Sequence, residues 1–215
     1  AILFQDDFEN GLAKWVVGLL ESDSGTGPVD VLKTEVVDVV RDGKPAKAAR
    51  LGHRSGASVP GLRPRMARLP DAFAVDCEFM CSTMYWSEYM AEAKRQGKHF
   101  WTYQTPTLLV KTSLRAECLQ VRIDAIGNAD AIVISKNPQW VGSRLECERV
   151  EEGADSEKVV MRWLLNGQTF FDGTFRIRGT PEERDALVRP YWVVWNMNVL
   201  VNKVTVRERI TVPRL

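Results

Sequence analysis

Apolar and polar positions alternate with a period of two along most of this chain, in short runs separated by turn residues. In "AFAVDCEFMCS" the residues Phe73, Val75, Cys77, Phe79 and Cys81 share one face, and Ala74, Asp76, Glu78 and Met80 share the other. "ECLQVRIDAIG" sets Leu119, Val121, Ile123 and Ala125 against Cys118, Gln120, Arg122 and Asp124. "VLKTEVVDVV" is rich in β-branched residues and ends at the turn "RDGK". "KVVMRWLLNGQTFFDG" reads as a hairpin, because Asn166-Gly167 supplies the positive φ angles of a tight turn between two apolar strands. "RPYWVVWNMNVLVNKVTVRERITV" holds one or two long strands. Strand and turn signals at this spacing predict an all-β protein, an antiparallel β-sandwich, and not a parallel sheet with crossover helices.

Two segments break the alternation. "TPEERDAL" offers Thr180 as cap, Pro181 at the first helical position and Glu183 to close a capping box, which predicts one or two turns of helix. "SEYMAEAKRQGKH" reads as a second short helix, capped by Ser87 and stopped at Gly97. Both are expected as decorations of loops. There is no repeat, low-complexity tract or linker, so the 215 residues are expected to form a single domain spanning 1–215.

Charge removes several partner classes. Lys plus Arg number 29 against 28 Asp plus Glu, and a net charge of +1 provides no bulk field to gather nucleic acid or an anionic membrane. One local cluster stands out, comprising Arg50, Arg54, Arg63, Arg65 and Arg68; it reads either as solvated loops or as a site for an anionic ligand. No run approaches the roughly 20 apolar residues of a membrane helix, so no insertion is expected. No basic region followed by an apolar core is visible at the start. Cys77 and Cys81, roughly 13 Å apart along one strand, are too distant to pair with each other. Cys77, Cys81, Cys118 and Cys147 are read as buried free thiols, with cross-strand disulfides as the alternative, and their spacing does not make a zinc site.

Three phrases carry a family resemblance. "LFQDDFENGLAKWVV" resembles the first strand of concanavalin A-like lectin/glucanase jelly rolls, "NVLVNKVTVRER" looks like their last strand, and "WLLNGQTFFDG" resembles one of their hairpins. The resemblance in pattern spans nearly the whole chain, through short phrases. It implies a jelly roll, in a superfamily that includes polysaccharide lyases, glucanases, lectins, laminin-G-like modules and glycan-binding modules. It also implies a structural calcium near the first and last strands. Asp6, Asp7 and Glu9 can supply hard oxygen ligands, and Asn202 stands where relatives often carry aspartate. The alternative is that one aspartate is solvated and the other bonds the backbone.

Function must then come from side chains. For a retaining glucanase, Glu146, Glu148 and Glu151 have the spacing of the family's catalytic strand, although positions five apart face opposite sides of a regular strand. For a polysaccharide lyase, His99 and Tyr103 are candidates for proton transfer, with Arg122 holding a uronate carboxylate and Arg50 or Arg54 as alternatives. For glycan binding, the seven tryptophans suggest flat platforms, with Trp86, Trp163 and Trp192 beside Gln120 and Arg54 as the candidate set. The expectation is an exported (secreted or periplasmic) domain that recognises a polysaccharide or glycoconjugate and acts on an anionic glycan. A lyase is the leading catalytic option, ahead of a glycoside hydrolase, and a laminin-G-like protein-interaction domain is the non-catalytic alternative.

Overall fold

The computed structural model describes residues 1–21, 30–55, 58–66, 68–82, 107–111, 120–122, 140–188, 190–195 and 198–210. The first elements are β1 (Ile2–Asp6), β2 (Trp15–Glu21), β3 (Asp30–Arg41), β4 (Lys44–Ser55), β5 (Ser58–Pro64) and β6 (Ala72–Ser82). There follow β7 (Thr107–Lys111), β8 (Gln120–Arg122), β9 (Trp140–Gly153), β10 (Ser156–Leu165) and β11 (Gln168–Arg178). Helix α1 (Pro181–Leu187), β12 (Tyr191–Trp195) and β13 (Asn198–Glu208) complete the order. The helix expected over 87–97 lies outside the described residues.

An eight-stranded sheet runs β11-β10-β9-β6-β13-β4-β3, with β1 also paired to β13, and a five-stranded sheet runs β2-β5-β12-β7-β8. The described pairings are antiparallel, and the two sheets form a jelly-roll β-sandwich. Turn chemistry sets the hairpins. Asp42 and Gly43 take φ 51° and 75° between β3 and β4, and Asn166 and Gly167 take 48° and 79° between β10 and β11. Paired positive φ values mark the type I′ turn, whose backbone follows the right-handed twist of the flanking strands. A bulge at Lys203 (φ 48°) interrupts β13 between Asn202 and Thr205. Before it β13 pairs with β4, after it with β1, while β6 stays on the opposite edge throughout.

Period-two alternation places the core. Phe73, Val75, Cys77 and Phe79 of β6 are buried beside Val141, Leu145 and Cys147 of β9 and Val199, Val201, Val204 and Val206 of β13. An aromatic cluster joins the sheets: Trp15 stacks on Phe8 at 5.2 Å and meets Phe4 and Trp192 edge-on at 5.1 and 5.6 Å. Burying each of these rings is worth about 1.5–3 kcal/mol, with roughly 0.5–1.5 kcal/mol more per aromatic pair. The opening phrase of the sequence thus anchors the first strand through Phe4, Phe8 and Trp15. Cys77 and Cys147 are free, buried thiols; the side chain of Cys81, and Cys118, lie outside the described residues.

Candidate anion-binding cleft

The inward positions of the β9–β10 hairpin are apolar, Ser143 aside, until its tip. On β9 they run Val141, Ser143, Leu145, Cys147 and then Arg149; on β10 they run Glu157, Val159, Met161, Trp163 and Leu165. An arginine and a glutamate therefore occupy core-facing sites, and buried charges persist only when paired. Arg149 grips Glu157 bidentately, Nε donating to Oε2 at 2.8 Å and Nη2 to Oε1 at 3.0 Å. Arg184 of α1 adds a third bond, Nε to Oε1 at 2.8 Å. Burial alone would raise the pKa of Glu157, but the hydrogen bonds and charges of Arg149 and Arg184 outweigh it and hold the carboxyl below its ordinary range.

Local structure puts Arg184 there. Gly179 adopts φ +128°, and a Cβ at this position would come within 2.6 Å of Glu183 Oε2. That oxygen accepts from the Thr180 amide at 2.8 Å while Thr180 Oγ1 accepts from the Glu183 amide at 3.3 Å, the capping box read from the sequence. Arg184 then donates Nη1 to the carbonyls of Gly179 (2.6 Å) and Ala154 (3.2 Å), which locks the helix onto the hairpin turn. The next residue, Asp185, accepts from Arg149 Nη1 at 2.6 Å and pairs with Arg68 Nε at 3.1 Å.

Above this network opens a shallow cleft lined by Arg63, Arg68, Arg149 and Asp185 with apolar walls that include Leu69 and Val188. Four guanidinium groups (Arg63, Arg68, Arg149, Arg184) meet two carboxylates (Glu157, Asp185) among the described residues of this cluster. Arg149 is committed to Glu157 and Asp185, so Arg63 and Arg68 are the cations that face the cleft. Arg63 is half-buried and has no hydrogen bond or ion pair among the described residues. Arg68 is 70% exposed. Excess positive charge in a partly desolvated, apolar-walled cleft favours an anionic guest.

The arginine cluster read from the sequence is thus divided. Arg63 and Arg68 reach the cleft. Arg65 donates Nε to the Trp15 carbonyl at 2.9 Å, and Arg50 pairs with Glu35 on the larger sheet. Arg54 lies in β4, and Gln120 and Arg122 form part of β8, an edge strand where they pair with Leu109 and Thr107; their side chains are outside the described residues. His99, Tyr103 and Trp86 also lie outside the described residues.

Two candidate platforms are corrected. Trp163 is buried and donates Nε1 to Ser143 Oγ at 2.8 Å, and Trp192 is buried against Trp15. Both occupy inward positions of their strands, so neither ring offers a face to a sugar.

The residues expected to hold calcium are engaged with groups of the protein itself. Asp6 Oδ2 accepts from Trp15 Nε1 at 2.5 Å, and its Oδ1 lies 3.3 Å from the Lys14 ammonium. Asp7 accepts from the Glu9 amide at 3.2 Å, and Asn202 Oδ1 accepts from the Lys203 amide at 2.7 Å. A lysine cation already neutralises the one buried aspartate, and no group of three His, Cys, Asp or Glu side chains forms a metal site among the described residues. This donor set does not fit a calcium cage.

The outward face of the larger sheet is charged but internally balanced. Arg144 pairs with Asp76 (3.2 Å) and Glu146 (2.9 Å), Arg207 with Asp76 (3.0 Å), and Arg41 with Glu78 (2.6 Å). Arg41 also lies over the Trp140 ring at 4.8 Å. Glu146 and Glu148 share this face, whereas Glu151 pairs in unbroken register with Glu157 and so takes the opposite parity of the strand, and the three acids do not form one cluster.

No protein-family model matches the chain, and no curated protein matches it at a significant level. Among solved structures, alginate lyase Aly36B is similar at 8% identity and TM-score 0.43, over 94% of this chain and 100% of that one. A marine PL-14 alginate lyase from Aplysia kurodai is similar at 8% identity and TM-score 0.38, over 81% and 87% of the two chains. A Bacillus subtilis protein of unknown function with a galectin-like fold is similar at 9% identity and TM-score 0.38, over 97% and 96%. Likenesses this shallow transfer no activity, so the functional reading rests on the side chains of the cleft.

Proposed function

We propose that this jelly-roll domain recognises an anionic polysaccharide or glycoconjugate, and that the cleft beside α1 receives an acidic group of the ligand. The observation that carries this reading is the pair Arg63 and Arg68, facing an apolar-walled cleft in a cluster where guanidinium groups outnumber carboxylates. A guanidinium matches the planar carboxylate or sulfate of an acidic sugar with two parallel hydrogen bonds. Apolar walls suit the less polar face of a pyranose ring. A single exposed contact of this kind is weak, so useful affinity on a polymer comes from repeated engagement.

The test is affinity electrophoresis through gels containing alginate, polygalacturonate or chondroitin sulfate, with dextran and laminarin as neutral controls. Retention by the acidic polymers alone is expected, weakening as salt is raised. Arg63→Gln/Arg68→Gln should abolish it without moving the thermal midpoint. Equal retention on neutral polymers, or an unaffected double variant, would overturn the reading. The same incubations separate the two modes of action: a growing ultraviolet absorbance from unsaturated uronate marks a lyase, and saturable binding without product marks a binding module. Failure of every glycan would leave the protein-interaction reading in its place.

A further inference from the structure

We infer that Asp185 is an internal occupant of this cleft, competing with the anionic ligand for Arg68. The inference rests on the proposed function. Each Asp185 oxygen is held by a different arginine: Oδ1 by Arg149 Nη1 at 2.6 Å and Oδ2 by Arg68 Nε at 3.1 Å. The two grips differ in kind. The Arg149 side chain is 4% exposed and is also fixed bidentately by Glu157, so its hold on Asp185 is the firmer of the two. The Arg68 side chain is 70% exposed, and a pair with such a solvated partner is readily exchanged. Asp185 cannot follow Arg68, because the capping box and the Arg184 bonds to Gly179 and Ala154 clamp its helix.

An entering acidic group therefore finds Arg63 free and Arg68 engaged, and binding transfers the Arg68 guanidinium from Asp185 to the ligand. Affinity is held down by a carboxylate that presents the same chemistry as the guest. Asp185 acts here as a positioning residue, setting how strong an anion must be to enter.

Titration calorimetry of the whole chain with two probes, trigalacturonate and inorganic sulfate, tests this. Asp185→Asn keeps the shape and removes the competing charge. It should tighten binding of both probes by about threefold to tenfold and steepen the salt dependence. The gain should vanish in Asp185→Asn/Arg68→Gln. In the native background, Arg68→Gln should weaken binding less than Arg63→Gln, because Arg68 must first leave Asp185. Arg68 is exposed, so that comparison stands even where Asp185→Asn perturbs folding. Unchanged or weaker binding by a folded Asp185→Asn variant, or a gain that survives removal of Arg68, would overturn the competitor role while leaving the anion site intact. Failure of both the native protein and Asp185→Asn to bind either probe would remove the anion site itself.

Discussion

Replacing Glu157 by glutamine tests the buried network on which the cleft is built. The Glu157 side chain is 8% exposed, and its carboxylate accepts three hydrogen bonds from two guanidinium groups whose side chains are 4% and 3% exposed. Glutamine preserves the shape but removes the charge and turns an amide N–H₂ towards an arginine donor. Removing one partner of a buried ion pair costs about 3–5 kcal/mol, a large part of the roughly 5–15 kcal/mol that stabilises a typical domain. Urea unfolding followed by tryptophan fluorescence at neutral pH reads the loss, and an unchanged denaturant slope confirms that one folded state is being compared.

Acid supplies the second half of the test. Glu157 has a folded pKa below its unfolded value, so its contribution is fully present above the unfolded carboxyl value of about 4.3 and is lost as pH falls through the lower folded value. The stability gap between native protein and Glu157→Gln should hold constant from neutral pH down to about 4.3 and narrow only below it. A loss under about 1 kcal/mol at neutral pH, or a gap that stays open in strong acid, would refute the reasoning. A triple apolar replacement, Arg149→Met/Glu157→Leu/Arg184→Met, separates the terms. It leaves no charge unpaired and should cost far less than the single change.

Two further predictions concern the core and the first strand. Burial pushes the Cys77 and Cys147 thiols up to about 12, so peptide mapping after iodoacetamide treatment should find both unmodified in folded protein and modified after denaturation. Labelling of either in the native state would show that the inner faces of β6 and β9 open to solvent. Because Lys14 and Trp15 already satisfy Asp6, added calcium or a chelator should leave the unfolding midpoint unchanged. A saturable rise with calcium would reveal a donor set that Asp6, Asp7 and Asn202 do not assemble by themselves.

The strands, the two tight turns and the Thr180 cap were legible in the sequence because each is written in neighbouring residues. A period of two, Asp-Gly or Asn-Gly, and Thr-Pro-Glu-Glu are local signals with local causes. The cleft had no such signature. "ECERVEEGADSE" reads as a charged hairpin tip, yet Arg149 and Glu157 take inward positions there; the signal available was their parity with Cys147 and Val159. Alternation alone does not separate platform from core for Trp163 and Trp192, because it assigns residues to two faces without saying which face the second sheet covers. Arg63, Arg68, Arg149 and Asp185 come from β5, the segment before β6, β9 and α1, and only sheet stacking brings them to one rim. Sequence by itself carried the all-β alternation, the tight turns and the Thr180 cap, since local sterics and hydrophobic period act between neighbours. Tertiary structure alone decided which charges are buried, paired or left to face a ligand, because desolvation and Coulomb energy depend on distances between residues far apart in the chain.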